Sequence, residues 1–165
     1  MLSVDLGSLL LWGVFATGLL TLIMTGSQQL GWSRMSLPYL IGSMFTPHRG
    51  RSMLIGFALH FAIGIVFAVL YALLFESWGR ASWWLGLLLG LVHGLFMLVV
   101  GIWALPFFHP RMAGKHHGPT PTRQLEPPGF LALNYGRRTP MISMLAHLVY
   151  GTVLGAFYEL AAGGA

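Results

Sequence analysis

Two stretches of the chain, RSMLIGFALHFAIGIVFAVLY (residues 51–71) and RTPMISMLAHLVYGTVLGAFY (residues 138–158), decide the class of fold. Each is almost wholly apolar and has about the 20 residues that an α-helix needs to cross the hydrocarbon core of a bilayer. Each begins with arginine, which is followed by histidine nine positions later, glycine four positions after that and tyrosine seven positions later still. The chain therefore uses one apolar helix pattern twice, each time with a histidine deep inside the helix.

The composition of the whole chain is typical of an integral membrane protein. Of its 165 residues, 56% are hydrophobic and 8% are charged, and the mean hydropathy is +0.73. Soluble domains carry about 25% charged residues, and a soluble core of this size could not bury so much apolar surface. Since the chain has no cysteine, disulfide bonds, thiolate metal sites and cysteine nucleophiles are excluded.

Four apolar segments predict an all-α integral membrane protein with a single membrane domain over residues 1–165. The predicted spans are residues 6–26, 53–75, 83–105 and 140–162, and the two long loops are residues 27–52 and 106–139. None of the spans has a charged residue in its middle. The first span lacks a basic n-region and is longer than the apolar part of a signal peptide, so we expect it to be retained as a helix.

The basic residues predict the orientation of the spans. Eight of the nine Lys and Arg lie in the two long loops, and the ninth, Arg80, lies in the short turn between the second and third spans. We therefore expect both long loops to be cytoplasmic and both termini to lie on the opposite side. Because this asymmetry accounts for the net charge of +5, nucleic acid is not an expected partner. The arginines at the loop ends could bind anionic lipid headgroups.

The second and fourth spans each follow a basic loop, which indicates two parallel helix–loop–helix repeats related by an axis along the membrane normal. The first and third spans match only weakly, so a chance match between Gly- and Leu-rich helices is the alternative. Within the loops, residues 37–45 are expected to form a short interfacial helix, and residues 129–135 to lie along the interface likewise. Residues 106–128 contain six prolines, so we expect an irregular segment that is docked, with a partner subunit as its cover.

Helical spacing places the histidines on the faces that carry small residues. His60 shares a face with Gly64 on the second span, and His147 shares one with Gly151 on the fourth. The corresponding buried polar and packing positions of the third span are His93, Gly86, Gly90 and Gly94. Because small residues let membrane helices approach closely, we expect the three histidines to point into the bundle.

Three hypotheses account for the buried histidines: a hydrogen bond between helices, a b-type haem, or a proton or ion path. In the haem hypothesis the histidines are axial ligands, the glycines make room for the macrocycle and the arginines reach its propionates. Its residues are His60, His147, Gly64, Gly151, Arg51 and Arg138. Without carboxylates near the histidines, a non-haem iron or catalytic zinc site is poorly supported. Lys115, His116 and His117 in the second loop fit a solvated turn better than a metal site.

The phrases IGSMFTPHRGR, GLVHGLFMLVV, HPRMAG and LEPPGFLALNYGRRTP together resemble an uncharacterised family of small bacterial four-span membrane proteins. The resemblance covers roughly three quarters of the chain, from about Ile41 onward. It implies a multi-pass protein of the bacterial cytoplasmic (inner) membrane, and no activity can be carried over from it.

We expect a non-catalytic accessory subunit of a larger membrane complex, without enzymatic activity or a cofactor of its own. Its partners would be other membrane protein subunits and lipids. The predicted complex is a respiratory or photosynthetic electron-transfer assembly. This prediction rests on how often such assemblies contain small membrane subunits, and not on particular residues. The alternatives are a membrane protein that binds haem b and a small channel or carrier with a histidine-lined path.

Overall fold

The computed structural model describes residues 3–114 and 118–161, and within them the chain is helical. The α-helices are α1 (Leu6–Gln29), α2 (Leu37–Gly42), α3 (Arg49–Trp78), α4 (Trp83–Phe96), α5 (Ile102–Phe108) and α6 (Thr139–Phe157). A π-helical turn at Met97–Gly101 joins α4 to α5, and a 3-10 segment occupies Phe130–Tyr135. The part of the chain that is described has isolated β-bridges but no strand.

Four helices are long and apolar enough to cross a membrane, which confirms the predicted all-α class and the number of spans. They are Leu6–Gln29, Arg49–Trp78, Trp83–Phe108 and Thr139–Phe157. The first, second and third extend beyond the predicted bounds, because hydropathy marks only the apolar part of a helix whose hydrogen bonds continue into polar sequence. The fourth ends at Phe157 rather than at residue 162, and Ala162 itself lies outside the described residues.

Contacts divide the described chain into two compact units. The first unit contains residues 3–23, 61–94 and 144–161, and the second contains residues 24–60, 95–114 and 118–143. Helices α1, α3, α4 and α6 contribute residues to both units.

In the first unit, glycines bring the backbones of neighbouring helices together. A Cβ atom at Gly151 of α6 would collide with the carbonyl oxygen of Gly86 on α4, and one at Gly86 would collide with the carbonyl oxygen of Gly151. On the α1–α3 contact, a Cβ atom at Gly64 would collide with the side chain of Thr17. Both contacts depend on the absence of a side chain, as expected for helices that pack in lipid.

In the second unit, α2 lies against the first turns of α3. A Cβ atom at Gly42 would collide with the carbonyl oxygen of Ser52, and one at Gly56 would collide with that of Pro38. Helix α2 begins at Leu37, directly after the N-cap residue Ser36, and ends at Gly42, so a short helix is present where residues 37–45 were predicted to form one, but it is three residues shorter. It is held by backbone contact with α3.

We predict that Gly151→Ala destabilises the protein and that Gly18→Ala does not. The new methyl group at position 151 meets backbone atoms that cannot rotate away, and overpacking of this kind costs about 1–3 kcal/mol. No atom lies within 4 Å of a Cβ atom at Gly18. Alanine at this position therefore causes no collision and stabilises the helix by about 0.5–1 kcal/mol, because alanine has the higher helix propensity. Unfolding by SDS, followed by circular dichroism, measures both variants, and equal midpoints would contradict the close contact.

Candidate functional site

His93 of α4 lies at the centre of an aromatic cluster in the first unit. Its ring stacks on Phe67, with 3.9 Å between centroids, and meets the ring of His147 edge-on at 4.7 Å. Its Nδ1 atom lies 3.4 Å from the hydroxyl oxygen of Tyr71, and the ring of Tyr150 packs edge-on at 5.7 Å. The two histidines and two tyrosines are buried. The structure therefore brings two of the three predicted histidines together.

Tyr150 joins two helices of this cluster by a hydrogen bond. Its hydroxyl group donates to the backbone carbonyl oxygen of Gly64 on α3 at 2.6 Å. Tyr150 was not among the residues predicted from the sequence, although it follows His147 by three positions and so lies on the same helical face. Interhelical polar contacts inside a membrane protein stabilise it by about 0.6–2 kcal/mol each.

The remaining residues of the haem hypothesis have different surroundings. His60 is buried on α3 but belongs to the second unit. The space beside Gly64 holds the side chain of Thr17, and the space beside Gly151 holds the backbone of α4. Arg51 is exposed at the start of α3. The surroundings of the two glycines therefore leave no room for a flat macrocycle there.

Two other glycines predicted to pack on the third span also contact α6. A Cβ atom at Gly90 would approach the carbonyl oxygen of His147, and one at Gly94 would approach the side chains of Met144 and His147. Arg138, the second arginine of the repeated pattern, is exposed, and its guanidinium carbon lies 5.3 Å from the ring centroid of Trp32. This contact is a cation–π interaction near the start of α6.

The second loop is fixed to α2 by His109, which follows α5 and is 1% exposed. The backbone N–H of Arg111 donates to His109 Nδ1 at 3.1 Å, so Nε2 carries the proton of the neutral ring. Nε2 then donates to the carbonyl oxygen of Leu40 at 2.9 Å and lies 3.1 Å from the hydroxyl of Ser43. Burial lowers the pKa of His109; the hydrogen bond with Leu40 opposes this shift, and the charge of Arg111 adds to it.

Arg34 of the first loop contacts a strained turn in the second loop, which we define as residues 129–135. Its backbone N–H donates to the carbonyl oxygen of Tyr135 at 2.7 Å, and its guanidinium donates to that of Asn134 at 2.5 Å. The same guanidinium pairs with the carboxylate of Glu126 at 3.1 Å. The hydroxyl of Tyr135 donates to the Glu126 carbonyl oxygen at 2.6 Å. One arginine thereby connects the two long loops.

The strained turn, which was predicted to lie along the interface, is a 3-10 segment interrupted by two residues with non-helical backbone angles. Gly129 has a positive φ of 71°. Two residues further on, Leu131 (φ 51°, ψ 26°) and Ala132 (φ 61°, ψ 23°) have left-handed backbone angles. Asn134 folds back on this backbone, with its amide donating to the carbonyl oxygen of Pro127 at 2.9 Å. Apolar composition predicted the location at a surface, whereas the conformation follows from these tertiary hydrogen bonds.

His109, Arg111, Arg34 and Asn134 were not singled out as site residues from the sequence. The signal in the sequence was HPR (residues 109–111), in which two polar residues directly follow a span. Irregular backbone near a membrane needs hydrogen-bond donors and acceptors from elsewhere in the chain, and such side chains can supply them. Lys115, His116 and His117 lie outside the described residues. Within the residues that are described, no group of three or more potential metal-ligating side chains occurs.

Comparisons of the chain with protein-family models, with curated proteins and with solved structures gave no match. The resemblance to a family of small bacterial four-span membrane proteins therefore stays a prediction.

We predict that acid weakens the attachment of the second loop and that His109→Gln removes part of this effect. His109 is held neutral in the folded chain, whereas in the unfolded chain it binds a proton below its ordinary pKa of 6.5. Stability is therefore present above that value and falls as the pH drops below it, by up to about 1.4 kcal/mol for each pH unit. The charged group that faces the ring is Arg111, and α2 presents only the uncharged Leu40 and Ser43.

Unfolding midpoints of the wild type and of His109→Gln, measured at about pH 7.5 and about pH 5.5, separate this effect from that of the other histidines. The expected result is a larger acid-induced loss in the wild type. An identical loss in both proteins would show that the neutral ring of His109 does not stabilise the loop.

Proposed function

We propose that the chain is a non-catalytic accessory subunit of a larger membrane protein assembly and that it docks through the strained turn. The observation that carries the proposal is a costly backbone conformation that holds large apolar side chains outward. Phe130 is 69% exposed and Leu133 is 43% exposed, whereas Ala132 between them is fully buried.

The strain in this turn supports a role in binding. A left-handed conformation costs an L-residue other than glycine about 1–2 kcal/mol, and two such residues, Leu131 and Ala132, follow one another here. Residues of this kind persist where the surrounding structure fixes them, and they are concentrated at functional sites. In this chain the hydrogen bonds of Asn134 and Tyr135 supply the fixation.

Helix α5 enlarges the apolar face next to the turn. It contacts the 3-10 segment, and it exposes Phe107 (56%) and Phe108 (75%). Aromatic residues are enriched in protein interfaces, so this group of exposed aromatic side chains supports docking at the same face. The partner that fits is a membrane protein with an apolar face at the same depth, close to the ends of its spans.

The finer features of topology belong to the same proposal. The repeated glycines Gly64 and Gly151 both lie at a contact between a span and the preceding span, α1–α3 and α4–α6 respectively. A short element, α2 or the 3-10 segment, precedes each of these helices. These correspondences support two parallel helix–loop–helix repeats. The basic residues of the loops support a cytoplasmic location of both loops. A bacterial inner membrane is what the resemblance to the family of small four-span proteins implies.

Purification of the tagged full-length chain from its native membrane in a mild detergent tests the proposal. We expect one or more larger membrane proteins to co-purify in constant ratio, and Phe130→Ser to reduce their recovery at least about tenfold, as loss of a central apolar contact does. Phe45→Ser is the matched control, because Phe45 is similarly exposed (62%) in the other loop. A chain that is recovered alone and monodisperse would refute the proposal. The identity of co-purified subunits also tests the predicted electron-transfer assembly.

The haem hypothesis has its own test, a reduced-minus-oxidised absorbance spectrum of the gently purified chain with quantitation of haem as the pyridine complex. Because the neighbours of Gly64 and Gly151 fill the space beside them, we expect no haem band. A band that is present in the wild type and lost in both His60→Ala and His147→Ala would instead establish a b-type haem protein.

A further inference from the structure

A cleft of about 480 Å³ lies in the second unit, between α2 and the second loop. Tyr39 of α2 and Ser43 directly after it line the cleft, and the second loop contributes Arg111, Thr122 and Gln124. Prolines from both segments supply much of the remaining wall. We call this site the Arg111 cleft. Among its described lining residues there is a cation but no carboxylate.

The guanidinium of Arg111 is fixed by the backbone of the first loop. Its Nη1 atom donates to the carbonyl oxygens of Ser43, at 2.5 Å, and of Met44, at 3.1 Å. A guanidinium has five N–H donors, and the Nε and Nη2 edge of Arg111 has no hydrogen-bond or ion-pair partner within the described part of the chain. This edge presents two parallel donors, the geometry that binds a phosphate or carboxylate in bidentate fashion.

Further donors lie around the same cleft. Tyr39 contributes a hydroxyl group for which no partner occurs among the described residues, and Thr122 contributes a second hydroxyl group. Gln124 is exposed at the cleft, with its amide nitrogen donating to the carbonyl oxygen of Pro121 at 3.0 Å. A fixed positive charge with neutral donors around it, and without a competing acid, suits an anion.

The position of the cleft in the chain places it close to the membrane surface. The third membrane-length helix ends at Phe108, and Arg111 follows three residues later. Three residues reach at most about 10 Å. Tyr39 lies on the short helix α2, which packs against the first turns of α3. An anion in the cleft would therefore lie at the depth of the lipid phosphates.

We propose that the Arg111 cleft binds a phosphate group through the free edge of the Arg111 guanidinium. The phosphate belongs either to a phospholipid headgroup or to a soluble phosphate compound, since both present the same oxygen atoms to the guanidinium. This site is separate from the docking face of the proposed function, and neither depends on the other.

The test introduces a negative charge at the cleft without disturbing the bonds of Arg111. Gln124→Glu places a carboxylate at the cleft, whereas Gln29→Glu makes the same change at an exposed position at the end of α1, outside the cleft lining. Replacement of Arg111 itself is unsuitable, because it would also remove the bonds to Ser43 and Met44.

Two probes distinguish the sources of the phosphate. The full-length chain in an uncharged, phosphate-free detergent is titrated with inorganic phosphate in a calorimeter. The same preparation is mixed with phosphatidylglycerol, or with diacylglycerol of the same acyl chains, and bound lipid is counted by native mass spectrometry. Thermal unfolding of each variant establishes that it is folded.

We expect Gln124→Glu to weaken binding at least about tenfold, because like charges placed side by side at a binding site oppose each other strongly, and Gln29→Glu to bind as the wild type does. Retention of phosphatidylglycerol over diacylglycerol, without a response to inorganic phosphate, assigns the site to a lipid headgroup. Binding of inorganic phosphate assigns it to a soluble phosphate. Absence of both responses, or equal binding by the two folded variants, would overturn the proposal.

Discussion

Helices in a bilayer gain little by hiding apolar side chains from one another, because lipid tails are as apolar as leucine, and close backbone contact has to hold the bundle together. In this chain that contact is made where glycines of α4 and α6 face each other, at Gly86 and Gly151, and where Gly64 admits Thr17 between α3 and α1. The same geometry explains why polar side chains can exist inside the helices. Once the backbones are close, Tyr150 reaches a carbonyl group of α3, and His93 lies within reach of Tyr71 and His147.

The two long loops satisfy a different requirement. Their backbone is irregular and rich in proline, so few of its polar groups can bond within the segment, and unpaired buried groups are costly. His109 and Arg111 bind the carbonyl oxygens at the end of α2, and Arg34 binds those of the strained turn. Side chains of one loop therefore complete the hydrogen bonds of the other. This arrangement holds two features with potential for recognition, the exposed Phe130 and the Arg111 cleft.

Equivalent positions of the repeated helix pattern have different surroundings. Gly64 meets a threonine side chain, whereas Gly151 meets glycine backbone. His147 packs on His93 within the first unit, whereas His60 belongs to the second unit. Repetition in the sequence therefore predicted where small and polar residues would be needed, but not which partner each would find. The space beside the two glycines is filled on both helices, by a side chain at Gly64 and by backbone at Gly151.

The sequence by itself determined the class of fold, the number of membrane-length helices and the short helix after Ser36, because these depend on local quantities: the length of apolar runs, the positions of charges and the proline in the first turn of the short helix. It also indicated that His93 and His147 lie on packing faces, since helical periodicity is local as well. Only the tertiary structure decided that Arg34 joins the strained turn, that Arg111 turns one edge of its guanidinium to the first loop, and that residues 131 and 132 are left-handed within the 3-10 segment. The bonds of Arg34 and Arg111 join residues 100 and 68 positions apart, and the pattern of neighbouring residues carries no information about such partners. The turn also depends on two shorter bonds, which the side chains of Asn134 and Tyr135 make across 7 and 9 positions.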